Sequence, residues 1–178
     1  MFKSMRLPRP MPENVKQVFQ MLLRVNEEQR VHGILRVAGG WVRDSMLEVD
    51  SNDIDITIET PQHIMDAKGS FITGSQFAYA IKAFNDQHNI PGNTISVIKT
   101  NPEKSKHIET AQLTVQGIPL EFCHLRTDEY TQDSRVPVVR PGTPLEDAMR
   151  RDFTANALFY NLHSEEVEDY TGCGFDDM

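Results

Sequence analysis

Two aspartates two residues apart, Asp53 and Asp55, stand in the run Asp-Ile-Asp-Ile-Thr-Ile. Side chains alternate along a strand, so in a strand these carboxylates share one face and Ile54, Ile56 and Ile58 share the other. Neighbouring carboxylates repel unless a cation joins them. A hard divalent ion is the natural remedy, and Mg²⁺ takes one or two carboxylates together with substrate phosphates. Upstream lies Arg-Val-Ala-Gly-Gly-Trp-Val-Arg-Asp, Arg36 to Asp44. It reads as a strand, a glycine turn and the start of a helix. Gly39 and Gly40 let backbone come close to a ligand, a helix start offers free N–H groups to phosphate, and Arg43 adds positive charge. The bland alternative is a solvated acidic pair on an exposed strand. The glycine turn and arginine upstream favour the metal reading: a glycine turn followed by paired aspartates is the layout of a nucleotidyltransferase site.

Other candidates are weaker alone. Glu121 alternates against Leu120 and Phe122. It is either a third carboxylate, able to support metals or accept the proton of an attacking hydroxyl, or an ordinary surface glutamate; the residues leave this even. Arg150, Arg151, Asp152 and Asn156 fall in one expected helix, where Asp152 and Asn156, four apart, share a face. They could meet ribose hydroxyls or a base edge, with an arginine on phosphate. Taken alone, a charged helix surface with internal ion pairs is the better explanation, with Phe153, Ala157 and Leu158 as its packed side. The six histidines show no paired spacing, and no serine or cysteine has a partner for covalent catalysis. Direct displacement is therefore favoured.

These residues need a scaffold. The chain has 178 residues, 39% hydrophobic and 25% charged, enough for one domain with a real core. The net charge of −8 excludes a generally basic nucleic-acid binder, so RNA would need a local patch or another domain. Cys123 and Cys173 make no metal spacing and suit a reduced, intracellular protein: cytoplasm, nucleus or an organelle such as the mitochondrion. No apolar run reaches membrane-spanning length. Residues 1–11 carry Lys3, Arg6 and Arg9 but also Pro8 and Pro10, and are expected to be a disordered leader. Helical periodicity follows Pro12. Strands are expected at Ile34 to Ala38 and Asp53 to Ile58, and a helix from Gly40 to about Glu48. Pro61 to Lys68 reads as a short helix, and Phe77, Ala80, Ile81 and Phe84 mark another. β-type runs follow at Thr94 to Thr100, Ile108 to Gln116 and Leu120 to Leu125, the last two as an antiparallel hairpin. Arg126 to Pro144 has no period. The motif helix from Pro144 to Asn156 and two short strands, Leu158 to Leu162 and Val167 to Tyr170, complete the chain. The expected fold is α/β: a small mixed sheet of about five strands with helices on one face.

The order of motifs resembles the class II CCA-adding enzymes, the tRNA nucleotidyltransferases whose head bacterial poly(A) polymerases share. The first stretch with Asp53 and Asp55 resembles their motif A, and Arg150 to Leu158 resembles motif B. Glu168 to Met178 resembles motif C, which links head to neck, and the segments Asn101 to Ala111 and Leu125 to Arg135 resemble the eukaryotic branch. The resemblance implies a polymerase-β-type head in which Asp53 and Asp55 hold two Mg²⁺ ions. It implies that Gly39, Gly40 and Arg43 cradle the triphosphate, that Glu121 has a supporting catalytic role, and that Asp152 with Arg151 reads the incoming ribose, with Asn156 beside them. Arg126 to Arg135 would be the loop that reshapes the nucleotide pocket. The implied partners are ATP, CTP and the tRNA 3′ end. Two departures stand out. The neck's Glu-Asp-x-x-Arg selector of motif D has no counterpart after motif C, and the same letters at Glu146 to Arg150 lie against motif B. The neck, body and tail that grip tRNA are also missing, so residues 12–170 are expected to be the head and 171–178 the start of a linker. The alternatives are a poly(A) polymerase with the same head and a catalytically idle nucleotide- or RNA-binding module.

Overall fold

The computed structural model describes residues 1–65, 71–91, 96–98, 110–129 and 138–178. Sixteen residues from Glu13 to Glu28 form helix α1, whose apolar stripe of Val15, Val18, Phe19, Leu22 and Val25 is buried. Strand β2 spans Ile34–Ala38, helix α2 Gly40–Met46 and strand β3 Ile54–Glu59. Helix α3, Gly74–Gln87, opens with a capping box between Thr73 and Gln76. Strands β4 (Ser96–Ile98), β5 (Thr110–Val115) and β6 (Ile118–His124) follow. Then come β7 (Arg126–Glu129), β8 (Val138–Pro141), helix α4 (Pro144–Met149), β9 (Leu158–Asn161) and β10 (Glu166–Asp169).

With β1 (Lys3–Met5), eight of these strands form one sheet in the order β1-β10-β9-β2-β3-β6-β5-β4. Its pairs are antiparallel except β3 with β6. That mixed α/β sheet agrees with the expected class, although it is wider than five strands. The difference has two sources, the late strands and a strand at the N-terminus, while helices α1, α2 and α3 pack on one face as expected. The β-runs and both late strands join one sheet. Helices α1 and α3 and Trp41 of α2 cover one face through a continuous core with Val37, Ile56 and Phe122. And residues 1–11 are not a free leader, because Lys3–Met5 pairs with β10. An edge strand's unpaired backbone groups attract another strand, Phe2 packs on Tyr170 with ring centroids 5.1 Å apart, and Leu7 and Met11 lie against the core. The prolines that rule out a helix do not rule out a short strand ahead of them.

The β5–β6 hairpin turns at Gln116 and Gly117, both at positive φ (50° and 83°), which is the twist a two-residue hairpin turn needs. Two further expectations change. The flanks of the aperiodic segment form a two-stranded ribbon of β7 and β8; residues 130–137, the heart of the expected pocket loop, lie outside the described residues. The helix expected to run to Asn156 stops at Met149, and Thr154–Ala157 forms a separate 3-10 turn. Asp and Asn compete for nearby backbone groups and favour such breaks. Phe153 is consequently 67% exposed rather than packed. Helix α4 sits on the second face of the sheet, where Ala148 joins Ala38, Ala157 and Phe159 in a small separate core. Of Pro61 to Lys68, Gln62–Ile64 forms a 3-10 turn and 66–70 lie outside the described residues; so do the flanks of β4.

Candidate active site

The second sheet face carries Asp55 and Glu121. Ala38 of β2 lies opposite Asp55 of β3, and Asp55 lies opposite Glu121 of β6. One cross-sheet row thus places two carboxylates side by side, and Gln112 of β5 extends it, donating from Nε2 to Glu121 Oε2 at 2.6 Å. Asp53 stands one residue before β3 and is exposed. Burial, then the charges of Asp53 and Glu121, raise the Asp55 carboxyl to about 6, against a weaker opposing pull from Arg151. No side-chain hydrogen bond or ion pair reaches the Asp55 carboxyl among the described residues. A carboxylate so placed is uncompensated. The donor set fits a divalent cation of the Mg²⁺ type: hard oxygen ligands, surplus negative charge and an open face. Among the described residues no three acidic, histidine or cysteine side chains converge into a ready metal cage. Two carboxylates that rely on substrate phosphates for their remaining ligands need none.

The positive side begins at Gly39, the residue after Ala38. Its φ of +74° is left-handed, and an added Cβ would sit 3.2 Å from Arg151 Nη1. Glycine therefore serves both the turn and the close approach of the guanidinium. Arg43, in α2, donates from Nη1 to Asn156 Oδ1 at 2.7 Å and from Nε and Nη2 to Asp44 Oδ1. Arg151 lies over the Phe159 ring, 5.4 Å from its centroid, and donates from Nη1 to the Asn156 carbonyl at 3.2 Å.

The sequence-derived residues thus fall into two adjoining groups: Asp53, Asp55 and Glu121 on one side, and Gly39, Gly40, Arg43, Arg151 and Asn156 on the other. Asp152 joins neither. It is exposed, outside any helix, and without a hydrogen bond or ion pair among the described residues. Its expected shared face with Asn156 is lost with the helix that would have made it, and Asn156 instead faces Arg43. Gln112 went unread in the sequence, and Asp147 stands there only within the Glu146 to Arg150 letters, without a role of its own. Gln112 could have been found from β5 alternation, and Asp147 from its spacing of three and four to Arg150 and Arg151. Cys123, two residues beyond Glu121, has its thiol pushed up to about 12, chiefly by burial and then by Asp55. It stays protonated, in keeping with direct displacement.

Residues 35–178 match the family described as the poly A polymerase head domain, and the chain belongs to that family. Among curated proteins it is 46% identical over 144 residues to the mitochondrial CCA tRNA nucleotidyltransferase of Candida glabrata, covering 81% of this chain and 26% of that protein. It is 45% identical over 148 residues to the enzyme of the same name from Saccharomyces cerevisiae, covering 81% and 25%. The chain therefore spans about a quarter of the length of these relatives. A solved CCA-adding enzyme in its second apo form shares the fold at a TM-score of 0.70 and 24% identity, over 95% of this chain and 34% of that one.

Proposed function

We propose that this chain is the nucleotidyl-transferring head of a tRNA CCA-adding enzyme, which moves CMP and AMP from CTP and ATP to the 3′ end of tRNA. The observation that carries the reading is the uncompensated carboxylate row of Asp55 and Glu121 with Asp53, set beside the Gly39 turn and two arginines. Asp53 and Asp55 would hold Mg²⁺, which when bound supplies charge neutralisation and Lewis acidity for attack on an α-phosphate. Gly39, Gly40 and Arg43 receive the triphosphate: the backbone permits close approach and the guanidinium faces developing negative charge. Arg151 and Asn156 line the same cradle, and Asp152 reaches the ribose from outside it. Glu121, held by Gln112, supports the metal pair or accepts the proton of the attacking hydroxyl.

The shared name of the two fungal relatives favours CCA addition over poly(A) synthesis, and its mitochondrial qualifier supports a place in that organelle. Residues 12–170, with the Lys3–Met5 strand paired onto them, act as the head and 171–178 lead out of it. tRNA contact and base choice belong to parts of the protein beyond this head. The test is product sequencing after incubating the full-length protein with tRNA lacking its terminal CCA and with CTP and ATP, singly and together. Ordered addition of two cytidines and one adenosine is expected. A long adenosine tail would establish the poly(A) alternative, and no extension at all would leave an idle binding module.

A further inference from the structure

Helix α4 holds a buried aspartate that the proposed chemistry does not use. The Asp147 side chain is 2% exposed. Its Oδ2 accepts from Arg151 Nε at 2.9 Å and lies 2.8 Å from Arg151 Nη2. Its Oδ1 accepts from Arg150 Nε and Nη2 at 3.2 and 2.7 Å, and from the Arg126 backbone N–H at 3.2 Å. Both oxygens are saturated. Two guanidinium groups share one carboxylate, so the cluster keeps a net positive charge. Arg151 is held on three sides: Asp147 takes its Nε and Nη2 edge, Phe159 one face and the Asn156 carbonyl its Nη1, beside the Gly39 turn.

We infer that Asp147 is the positioning residue for Arg151, holding its guanidinium against the Gly39 turn so that the site meets nucleotide with a pre-aimed cation. An arginine left free would have to give up its rotamer freedom on each binding event. A buried carboxylate that has already ordered it removes that cost. The shared second guanidinium keeps Asp147 from cancelling the charge that it aims.

This rests on the reading of Arg151 as a nucleotide contact. The test is a double-mutant cycle on nucleotide kcat/KM in the full-length protein, well below its melting temperature, with Arg151→Ala, Asp147→Asn and the pair. Each single change is expected to cost roughly tenfold to a hundredfold, the range for residues that orient a functional group. In the Arg151→Ala background, Asp147→Asn should cost nothing more. An equal further loss in that background would show that Asp147 acts by another route and overturns the inference. Unchanged kinetics for Arg151→Ala would overturn the nucleotide-contact reading itself, and the inference with it. Should Asp147→Asn fail to fold, Asp147→Glu serves instead: it keeps the charge but displaces the guanidinium, and its loss must likewise vanish without Arg151.

Discussion

Two charged clusters lie one step apart on the same face of the sheet, and they are built to opposite rules. Arg36 of β2 and Thr57 of β3 form one cross-strand row, and Ala38 and Asp55 form the next. In the first row, buried Arg36 donates to Glu168 at 2.6 Å, to Glu59 and to the Tyr170 hydroxyl, and Asn161 also donates to Glu168. Each of these charges has an opposite partner. Burial alone would lower the Arg36 pKa, yet the pull of Glu168, Tyr170 and Glu59 leaves it raised. In the second row, Asp55 meets only more acid along β6, and its pKa rises. The same face thus carries a closed network of opposite charges and an open row of like ones. That difference separates a structural cluster from a site: perturbed groups gather where chemistry needs them, and the fold accepts the cost.

The contrast can be broken at either row. The largest effect is expected from Asp53→Ala or Asp55→Ala, which should lower nucleotidyl transfer by the full-length protein by about a thousandfold or more, several kcal/mol of barrier, with the fold retained by circular dichroism. Near-normal turnover by either variant would remove the two-carboxylate assignment. On the closed side, Arg36→Met leaves Glu168 and Glu59 without their cation. Truncating one partner of a buried ion pair costs about 3–5 kcal/mol, so denaturant melting should show a loss of that order. A loss below 1 kcal/mol would mean that the network is not a stabilising one.

Asp55→Asn sharpens the comparison in the other direction. The folded carboxyl titrates at about 6 instead of 3.8. The folded state therefore binds the proton more tightly, and the wild type loses stability as pH rises from 3.8 through 6. In metal-free buffer the asparagine variant should match the wild type below about pH 4 and exceed it above pH 6. Partly exposed as the group is, the gain should be about 1–2 kcal/mol. A flat difference across that window would show that the acidic row carries no strain. The smallest effect belongs to Asp152→Ala. It should leave stability unchanged, within about 0.5 kcal/mol for an exposed side chain without a hydrogen-bond or ion-pair partner among the described residues, and narrow the preference for NTP over dNTP. Unchanged sugar discrimination would place Asp152 outside the ribose site.

How legible these rows were depended on how local their causes are. Asp55, Glu121 and the isoleucines opposite them follow from strand alternation, a property of neighbouring residues. The Gly39–Gly40 turn follows from a backbone need that glycine alone meets well. The end of α4 was not legible, because Arg150 and Arg151 fold back onto Asp147 and the chain then takes an extended step at Phe153; helical spacing continues in the letters past the point where the helix stops. The strand at Lys3–Met5 was hidden for a different reason. Its partner β10 lies more than 160 residues away, and three residues carry no pattern of their own.

The central claim is that the acidic row is strained until a divalent cation joins it. Thermal melting of the chain and of its Asp55→Asn variant with rising Mg²⁺ tests this most directly. Binding to the folded state alone adds about 1–3 kcal/mol at ten to a hundred times the dissociation constant. Mg²⁺ should raise the melting temperature of the wild type and scarcely move that of the variant, so that the gap between them at neutral pH narrows or reverses. Equal shifts in both, or none in the wild type, would contradict it.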